Sequence, residues 1–460
     1  MGRTLAPGFR TVIGIVCALS VVRLPARAAG GQDSPATPLA PLTLDHALAL
    51  ASHGNRLIQS AAMEVDRLDD STAAAHTQLL PAISVTGGAS QLLAPVDFHF
   101  PQGAFGTYPQ IGPVPASDLN IRAPARLVSV VSVSVTQPIT QLPRIRLGIK
   151  AQQAAAEIAR EGVRLQSQAT AADVKQAFFG MLETQSALDA KDDEIRTAQE
   201  LLRLTQNYVA QRTALDSDLL GVQARIASLR YDRLKLMNDL ITARERLNDL
   251  MGRDLDVAFL AVPPPDPIGP MADLKSLQAL AVAQRPEIRQ SAFKLKQAGY
   301  DRAAKATEYM PDVSIQLSYS RPYDLDVLPG SVATAGVLVT WTPFDWGNRR
   351  YELQDKSRVI DEARIGLEEL ETQVRLKVAD LYRRQQEALA LDAAARAERD
   401  AAKERLRVAT DRYQQDAALL KDVLEAQSDL ASADHDVTAA EIAMDTASAG
   451  LEKAIGSDAR

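Results

Sequence analysis

The sequence predicts a mainly α-helical protein with a small β part, in which one structural unit is internally duplicated. Three observations support this fold class. Aromatic residues make up only 5% of the 460 residues and charged residues 24%, a composition typical of long, closely packed helices rather than of a compact globule. Apolar residues recur every seven positions through two very long segments. Short segments with alternating apolar residues interrupt the helices at equivalent places in both halves.

The first residues, 1–28, have the pattern of a secretory signal peptide. Arg3 and Arg10 precede the apolar core TVIGIVCALSVV, and Ala-Arg-Ala at 26–28 is a small-residue cleavage pattern. The alternative is an N-terminal anchor helix, but the apolar run is shorter than the roughly 20 residues that a membrane-spanning helix needs. Cys17 would be removed with the signal peptide, so we expect an exported protein without disulfides or a lipid anchor.

An internal duplication is visible without gaps. Residues 42–90 align with residues 272–320, and the match includes Pro81 with Pro311 and Ser84 with Ser314. The segment after the second strand and the last quarter of each half also align. Chance similarity between alanine-rich helices is the alternative, but prolines, strands and helix ends recur in the same order. We therefore predict one unit written twice.

The predicted boundaries follow from this alignment. An extended N-terminal segment at 29–42 precedes repeat 1 at 43–256, a proline-rich linker at 257–272, repeat 2 at 273–456 and a tail at 457–460. Repeat 1 contains a leading helix at about 44–80, a β-hairpin at 82–136, a long helix at 144–210, a tip at 211–217 and a return helix at 218–252. Repeat 2 contains a leading helix, a β-hairpin at 312–342, a long helix at 349–415, a tip at 416–421 and a return helix at 422–456.

The predicted strands are about 9–11 residues long, the length that crosses a bilayer when a strand is tilted. In the second hairpin Val313, Ile315 and Leu317 share one face. Four strands per chain cannot close a barrel, and open sheet edges are not tolerated in lipid. Two chains would supply eight strands, and three chains would supply twelve and leave room for a passage. The alternative is a small sheet outside the membrane.

The long helices carry a narrow apolar seam. The seven-residue positions are Met181, Leu188, Ile195 and Leu202 in the first copy, and Ile360, Leu367, Val374, Leu381, Ala388, Ala395, Ala402 and Ala409 in the second. Sustained heptads indicate coiled-coil packing. About 65 helical residues form a rod on the order of 100 Å, too long for a compact domain. An ordinary helical bundle would be the better interpretation only if the strands were absent.

Three motifs resemble the TolC-type outer membrane efflux protein family over essentially the whole mature chain. They are PFDWGNRR at 343–350, RYQQDAALLKDVLEAQSDL at 412–430, and its weaker first copy NYVAQRTALDSDLLGVQARI at 207–226. The resemblance implies a homotrimer in the outer membrane of a Gram-negative bacterium. It implies a twelve-stranded transmembrane β-barrel in outer membrane lipid, with four strands from each of three protomers, and a coiled-coil barrel of long helices that forms a periplasmic tunnel. The proline-rich linker would lie in an equatorial belt around that tunnel.

The resemblance also implies a function. The protein would be the outer membrane channel of a tripartite efflux or type I secretion system, giving passive export of substrates. Its partners would be a periplasmic membrane-fusion adaptor and an inner-membrane pump of the RND, ABC or MFS type. The sequence does not decide between these pumps, nor between drug, metal, solvent and protein substrates.

The two tips are where the resemblance places the aperture and the adaptor contact. The candidate residues are Arg212, Asp216, Asp218, Arg412, Asp416, Lys421 and Asp422, with the possible contacts Tyr208 and Tyr413. Asp216, Ser217 and Asp422 are expected to cap helix starts, where acids also meet the positive end of the helix dipole. Three copies of Asp416 and Asp422 would ring the entrance, while the basic residues pair with acids to hold it shut. The alternative is that these residues are solvated caps at a turn.

The tips also depart from the family pattern. The family usually has glycine four residues after the arginine of Arg-Tyr, where this chain has Asp416, and Gln211 in the first copy. Because other residues adopt the left-handed conformation less readily, the family's turn geometry and adaptor contact do not carry over directly to these two tips. Trp341 and Trp346 flank the strand-to-helix junction and are predicted membrane-interface aromatics. The loop at 94–125, rich in proline, glycine and aromatics, is expected to be exposed at the cell surface. It could also plug the outer mouth of the channel, and the sequence does not decide between these roles.

Several classes of function are disfavoured. The five histidines have no metal-ligand spacing, and no phosphate-binding loop or nucleophile motif is present, so we expect no enzyme and no cofactor. The formal net charge of -7 argues against binding to nucleic acid. The alternatives to a channel are a periplasmic coiled-coil adaptor and a structural envelope spacer. The duplicated hairpins argue against both.

Overall fold

The computed structural model describes residues 40–212, 215–263, 273–323, 330–415 and 417–457. The predicted signal peptide and residues 29–39 lie outside the described residues, as do most of the proline-rich linker (264–272), Asp416 and the last three residues of the tail. The predictions made for these segments stay predictions.

Long helices and short strands alternate in the same order in both halves. The helices are α1 (Leu44–Gly54), α2 (Arg56–Thr77), α3 (Leu142–Ala210), α4 (Asp216–Leu250), α5 (Leu274–Gln284), α6 (Pro286–Ala306), α7 (Asn348–Gln414) and α8 (Leu420–Ile455). The strands are β1 (Ala40–Leu42), β2 (Ala82–Gln91), β3 (Val96–Phe100), β4 (Thr107–Tyr108), β5 (Gly112–Pro113), β6 (Leu119–Ala123), β7 (Leu127–Pro138), β8 (Phe259–Ala261), β9 (Asp312–Tyr323) and β10 (Val332–Thr340). None of the described helices is both long and apolar enough to cross a bilayer.

The prediction of one leading helix at about 44–80 is wrong. The chain breaks at Asn55, which has extended backbone angles and separates α1 from α2. The Asn55 Oδ1 atom accepts hydrogen bonds from the amides of Leu57 (2.9 Å) and Ile58 (3.3 Å), and its Nδ2 donates to the carbonyl of Leu250 (2.9 Å). An asparagine that caps the next helix competes with helix continuation, which the apolar periodicity does not show. In the second half the break falls at Arg285, before Pro286 at the first position of α6.

The four long strands form one antiparallel sheet in the order β10-β9-β7-β2. Strand β7 of the first hairpin pairs with β9 of the second, so the two hairpins lie side by side in one sheet. Strands β2 and β10 are its edges. The predicted loop at 94–125 contains two small antiparallel sheets, β3-β6 and β4-β5. We call residues 92–126 the outer arm.

The helices pack along the predicted seam. Val374, Ala388 and Ala402 of α7 are buried, as are Met181 and Ile195 of α3, and the remaining seam positions are half-buried. The largest core cluster joins α1, α3, α4, β8 and α8 around the fully buried side chains of Phe178, Met181, Val174 and Leu247. Packing of an apolar stripe, rather than intrinsic propensity, stabilises helices of this length.

The end of each return helix is in close backbone contact with the leading helices of the same half. Gly252 follows α4 with a left-handed φ of 71°, and a Cβ atom added there would lie 2.0 Å from the carbonyl oxygen of Gly54. Gly456 follows α8 with φ 80°, and its added Cβ would lie 3.0 Å from Arg285 Cα. The return helix of each half therefore ends against the break between that half's two leading helices. The fully buried Asn248 reinforces the first closure by donating to the carbonyls of Leu255 (2.7 Å) and Val257 (2.9 Å).

We expect Gly252→Ala to lower the stability of the fold by about 2 kcal/mol or more, because alanine resists the left-handed conformation and its Cβ would enter the backbone of Gly54. The measurement is the thermal midpoint of the helical circular dichroism signal in detergent. Gly366→Ala in α7 is the matched control, since its Cβ would meet nothing within 4 Å, and alanine is the better helix former. Equal thermal midpoints for the two variants would contradict a stabilising role for the close contact between Gly252 and Gly54.

Candidate functional site

The first tip joins α3 to α4 and contains a left-handed residue. Helix α3 ends at Ala210, and the amide of Gln211 donates to the carbonyl of Asn207 (3.0 Å). Gln211, where the missing glycine raised the question of strain, has an ordinary φ of -84°. The left-handed position is instead Arg212, with φ 61°. The left-handed residue of this tip therefore lies one position after the place where the family has glycine.

The start of α4 is capped from inside the helix. Leu215 is the extended residue before the first turn, and its amide donates to Asp218 Oδ2 at 3.2 Å. The Asp218 amide donates back to the Leu215 carbonyl at 3.0 Å. The prediction that Asp216 and Ser217 are N-caps is wrong, because they lie in the first turn of α4. An acid at the third helical position that reaches back to the N-cap amide is one half of a capping box.

The second tip repeats this arrangement. The Leu419 amide donates to Asp422 Oδ2 at 3.0 Å, and the Asp422 amide donates to the Leu419 carbonyl at 3.0 Å. Asp422 is thus also a third-position acid and not the N-cap itself. The Ala417 amide donates to the Arg412 carbonyl at 2.8 Å and closes the end of α7. This bond satisfies a carbonyl that the helix end leaves without a partner.

The predicted ion pairs at the tips form only in part within one chain. Lys421 Nζ lies 3.4 Å from Glu425 Oε1, and both side chains are mostly exposed, so this pair contributes little to stability. Among the described residues, the guanidinium groups of Arg212 and Arg412 form no ion pair with an acid. Both residues are exposed to solvent.

Sequence reasoning missed two exposed leucines at the tips. Leu215 is 69% exposed and Leu419 is 66% exposed, at the same position directly before each return helix. Tyr208 and Tyr413, near the ends of α3 and α7, are half-exposed. The signal was present in the sequence, since TALDSD and AALLKD both carry a leucine three residues before the capping acid. Apolar residues in a polar turn are more informative than the charges around them.

The strand-to-helix junction after β10 presents a group of exposed aromatics. Trp341 follows the strand, while Phe344 and Trp346 contact each other edge to face with ring centroids 4.9 Å apart. Trp346 has φ 57° and is followed by Gly347 with φ 85°. The carboxylate of Asp345 accepts from the amides of Gly347 and Arg349, both at 3.1 Å, and so starts α7. This turn brings the aromatic side chains together at one end of the sheet.

The sheet has one apolar face and one polar face. The apolar face carries Ile83 and Val85 of β2, Val133 and Val135 of β7, Val313, Ile315, Leu317 and Tyr319 of β9, and Ala335, Val337 and Val339 of β10. Ile83 is 72% exposed and Val337 is 66% exposed. An exposed apolar surface of this extent on a sheet requires a covering.

Among the described residues no group of histidines, cysteines or acids has the arrangement of a metal site.

Long paired helices and a four-stranded sheet with an exposed apolar face define a chain of the outer membrane channel type. The chain belongs to the outer membrane efflux protein family, whose model matches residues 47–253 and 277–457. This confirms the predicted family resemblance, the predicted class of efflux channel and the predicted location in the outer membrane of a Gram-negative bacterium.

Individual relatives are distant in sequence. The chain is 24% identical over 318 residues to the outer membrane efflux protein BepC of Brucella suis biovar 1 (strain 1330), a match that covers 59% of this chain and 70% of BepC. Its fold is similar to that of the outer-membrane channel OprN, with a TM-score of 0.72, 16% identity and coverage of 90% of this chain and 89% of OprN. The CmeC channel of Campylobacter jejuni has a TM-score of 0.72 at 15% identity, with coverage of 90% and 85%.

Proposed function

We propose that this protein is the passive outer membrane channel of a tripartite efflux or type I secretion system, assembled as a homotrimer. In this proposal three copies close a twelve-stranded transmembrane β-barrel, and their long helices form one periplasmic tunnel. The observation that carries the proposal is the single four-stranded sheet, which has an exposed apolar face and two open edges.

Closure of the sheet needs other copies. Strands β2 and β10 each have a hydrogen-bonded neighbour on one side only. Open edges cannot be left unpaired in the hydrocarbon of a bilayer, since each unsatisfied backbone group costs several kcal/mol there. Pairing β2 of one copy with β10 of the next satisfies both edges, and three copies make a barrel wide enough for a passage.

The helices support the same assembly. Exposed apolar side chains lie on α4 and α7: Leu220, Tyr231, Leu234, Met237 and Ile241 on the first, and Val359, Ile365, Leu376, Leu389 and Leu391 on the second. Such surfaces on two long helices are explained when neighbouring copies cover them. The tunnel wall would then consist of six helical hairpins. The pump, of the RND, ABC or MFS type, would supply the energy.

Electron microscopy of the detergent-purified mature protein tests this proposal. We expect threefold particles with a hollow body on the order of 100 Å long, which is the length of the 69-residue helix α3, and a detergent-covered barrel at one end. Monomers or solid rods that are soluble without detergent would contradict the channel. They would favour a periplasmic coiled-coil adaptor or an envelope spacer.

The second part of the proposal concerns the tips. Arg212, Asp216, Asp218, Arg412, Asp416, Lys421 and Asp422 would surround the periplasmic aperture, and the acids of three copies would help to set its closed state. Asp422 has two roles that must be separated, because its carboxylate carries a charge and also caps α8. Asparagine at this position keeps an oxygen acceptor and removes the charge.

We expect the double variant Asp416→Asn, Asp422→Asn to raise single-channel conductance at low voltage in planar bilayers, because the ring of charge is removed while the cap is kept. Asp301→Asn on the exposed surface of α6 is the matched control and should leave conductance unchanged. The double variant Asp416→Ala, Asp422→Ala removes the helix cap as well as the charge. If only this alanine variant raises conductance, the cap and not the charge keeps the aperture closed. Unchanged conductance in both double variants removes these acids from the gate.

The exposed leucines suit an adaptor contact. We expect Leu215→Ser combined with Leu419→Ser to weaken association with the cognate periplasmic membrane-fusion adaptor about tenfold or more, because two apolar anchors of about 1 kcal/mol or more each are lost. Quantitative co-purification from cross-linked cells measures this. Leu93→Ser in the outer arm is the control, since Leu93 is 93% exposed and lies far from the tips along the fold. An equal effect of the control would place the contact elsewhere.

A further inference from the structure

The polar face of the sheet carries hydroxyl groups on all four strands, and one row of them is continuous across the sheet. One row runs across all four strands through Ser84, Ser134, Ser318 and Thr334, which are directly opposite one another in the strand register. The Oγ atoms of Ser84 and Ser134 lie 2.7 Å apart, and Ser318 Oγ lies 2.6 Å from Thr334 Oγ1. The row is thus hydrogen-bonded within both hairpins. We call this row the central hydroxyl row.

The rows on either side of the central hydroxyl row are also neutral. Thr86, Ser132, Ser320 and Val332 form the next row, in which Ser132 Oγ donates to Ser320 Oγ at 3.3 Å. The row on the helical side is composed of Ala82, Thr136, Gln316 and Gly336. Rows on one face are two residues apart, or about 7 Å along the strand. Three rows therefore cover about 14 Å without a charged side chain.

Charges lie only at the two ends of this sheet. Strands β2, β7, β9 and β10 contain two charged residues, Asp312 and Arg321. Asp312 is on the polar face at the helical end, where its carboxylate lies 3.4 Å from Arg144 Nη2. Arg321 is on the opposite, apolar face at the far end, over the ring of Tyr323 at 5.2 Å. The middle of the polar face therefore has hydrogen-bonding capacity but no fixed charge.

We propose that the central hydroxyl row and its neighbours make the barrel segment of the channel indifferent to the sign of a solute's charge. This inference rests on the closed barrel proposed above, in which the apolar face meets lipid and the rows continue around the lumen. A hydroxyl group both donates and accepts, so it can replace hydrogen bonds from water to an anion, a cation or a neutral polar solute alike. A wall without fixed charge creates no potential that enriches one ion over its opposite.

In this proposal the barrel and the tips of the channel have different effects on charged solutes. The barrel would admit polar solutes of either charge, and any discrimination by charge would occur at the tips, where Arg212, Arg412, Asp218 and Asp422 are concentrated. A single added charge in the central hydroxyl row, repeated in every copy, would convert the neutral segment into a charge filter. The neutral polar face would therefore prevent the barrel from selecting solutes by the sign of their charge.

Cysteine accessibility in proteoliposomes tests the proposal, because the only native cysteine, Cys17, lies in the predicted signal peptide. The S134C variant is treated with methanethiosulfonate reagents of matched size that carry one negative or one positive charge. The V133C variant is the matched control on the adjacent, apolar face. The S117C variant in the exposed outer arm is the reference, and S318C is a second position in the central hydroxyl row if S134C folds poorly.

We expect S134C to react with both reagents, with a ratio of rates within about threefold of the ratio for free cysteine, because no fixed charge biases either reagent. V133C should react at least about tenfold more slowly with both, because lipid covers it. Adding Ser318→Lys to S134C should shift the ratio about tenfold toward the anionic reagent, because each copy then carries a cation in the row.

The outcomes separate this inference from the proposed function. A strongly biased ratio at S134C with V133C protected would overturn the inference and leave the barrel intact. Failure of S134C and S318C to react while S117C reacts would also overturn it, because the rows would not face a water-filled passage. Equal reactivity of S134C and V133C would mean that neither face meets lipid, and the proposed channel would fail with the inference.

Discussion

The constraint on which the structure depends is the pairing of backbone hydrogen-bonding groups at the edges of its sheet. The chain builds four strands of 9 to 12 residues, joins the two hairpins through β7 and β9, and stops with β2 and β10 open. An open edge beside an apolar face is unstable in lipid, and in water it invites association. The fold of one chain therefore leaves its largest sheet with two open edges.

The helices meet a different requirement. Each long helix ends at a defined residue, Ala210 in α3 and Gln414 in α7. Both tips meet this requirement by the same device, an aspartate in the first turn of the return helix that binds the amide of the leucine before it. At the other end, Gly252 and Gly456 allow each return helix to stop against the backbone of its own half. Local caps at both ends therefore determine the length of each hairpin.

Charge is distributed unevenly along the chain. The middle of the sheet is neutral on both faces, whereas the helices carry many pairs of opposite charges at helical spacing, such as Arg396 with Asp392, and Arg396 also pairs with Glu441 of the neighbouring helix α8. Exposed pairs of this kind contribute little stability individually. At the tips Lys421 has such a partner in Glu425, whereas Arg212 and Arg412 form no ion pair with an acid among the described residues.

The sequence by itself determined the features that depend on neighbouring residues. Heptad spacing, strand alternation, the helix ends near the two tips and the family motifs are all local patterns, and the family model confirms the family that the motifs indicated. Only the tertiary structure decided the break at Asn55, whose side chain caps α2 and also donates to the carbonyl of Leu250, and the left-handed position at Arg212. It also decided the folded outer arm and the central hydroxyl row, which brings Ser134 opposite Ser318. Local patterns report one chain segment at a time, whereas register, capping partners and close backbone approach arise between segments that are far apart in the sequence.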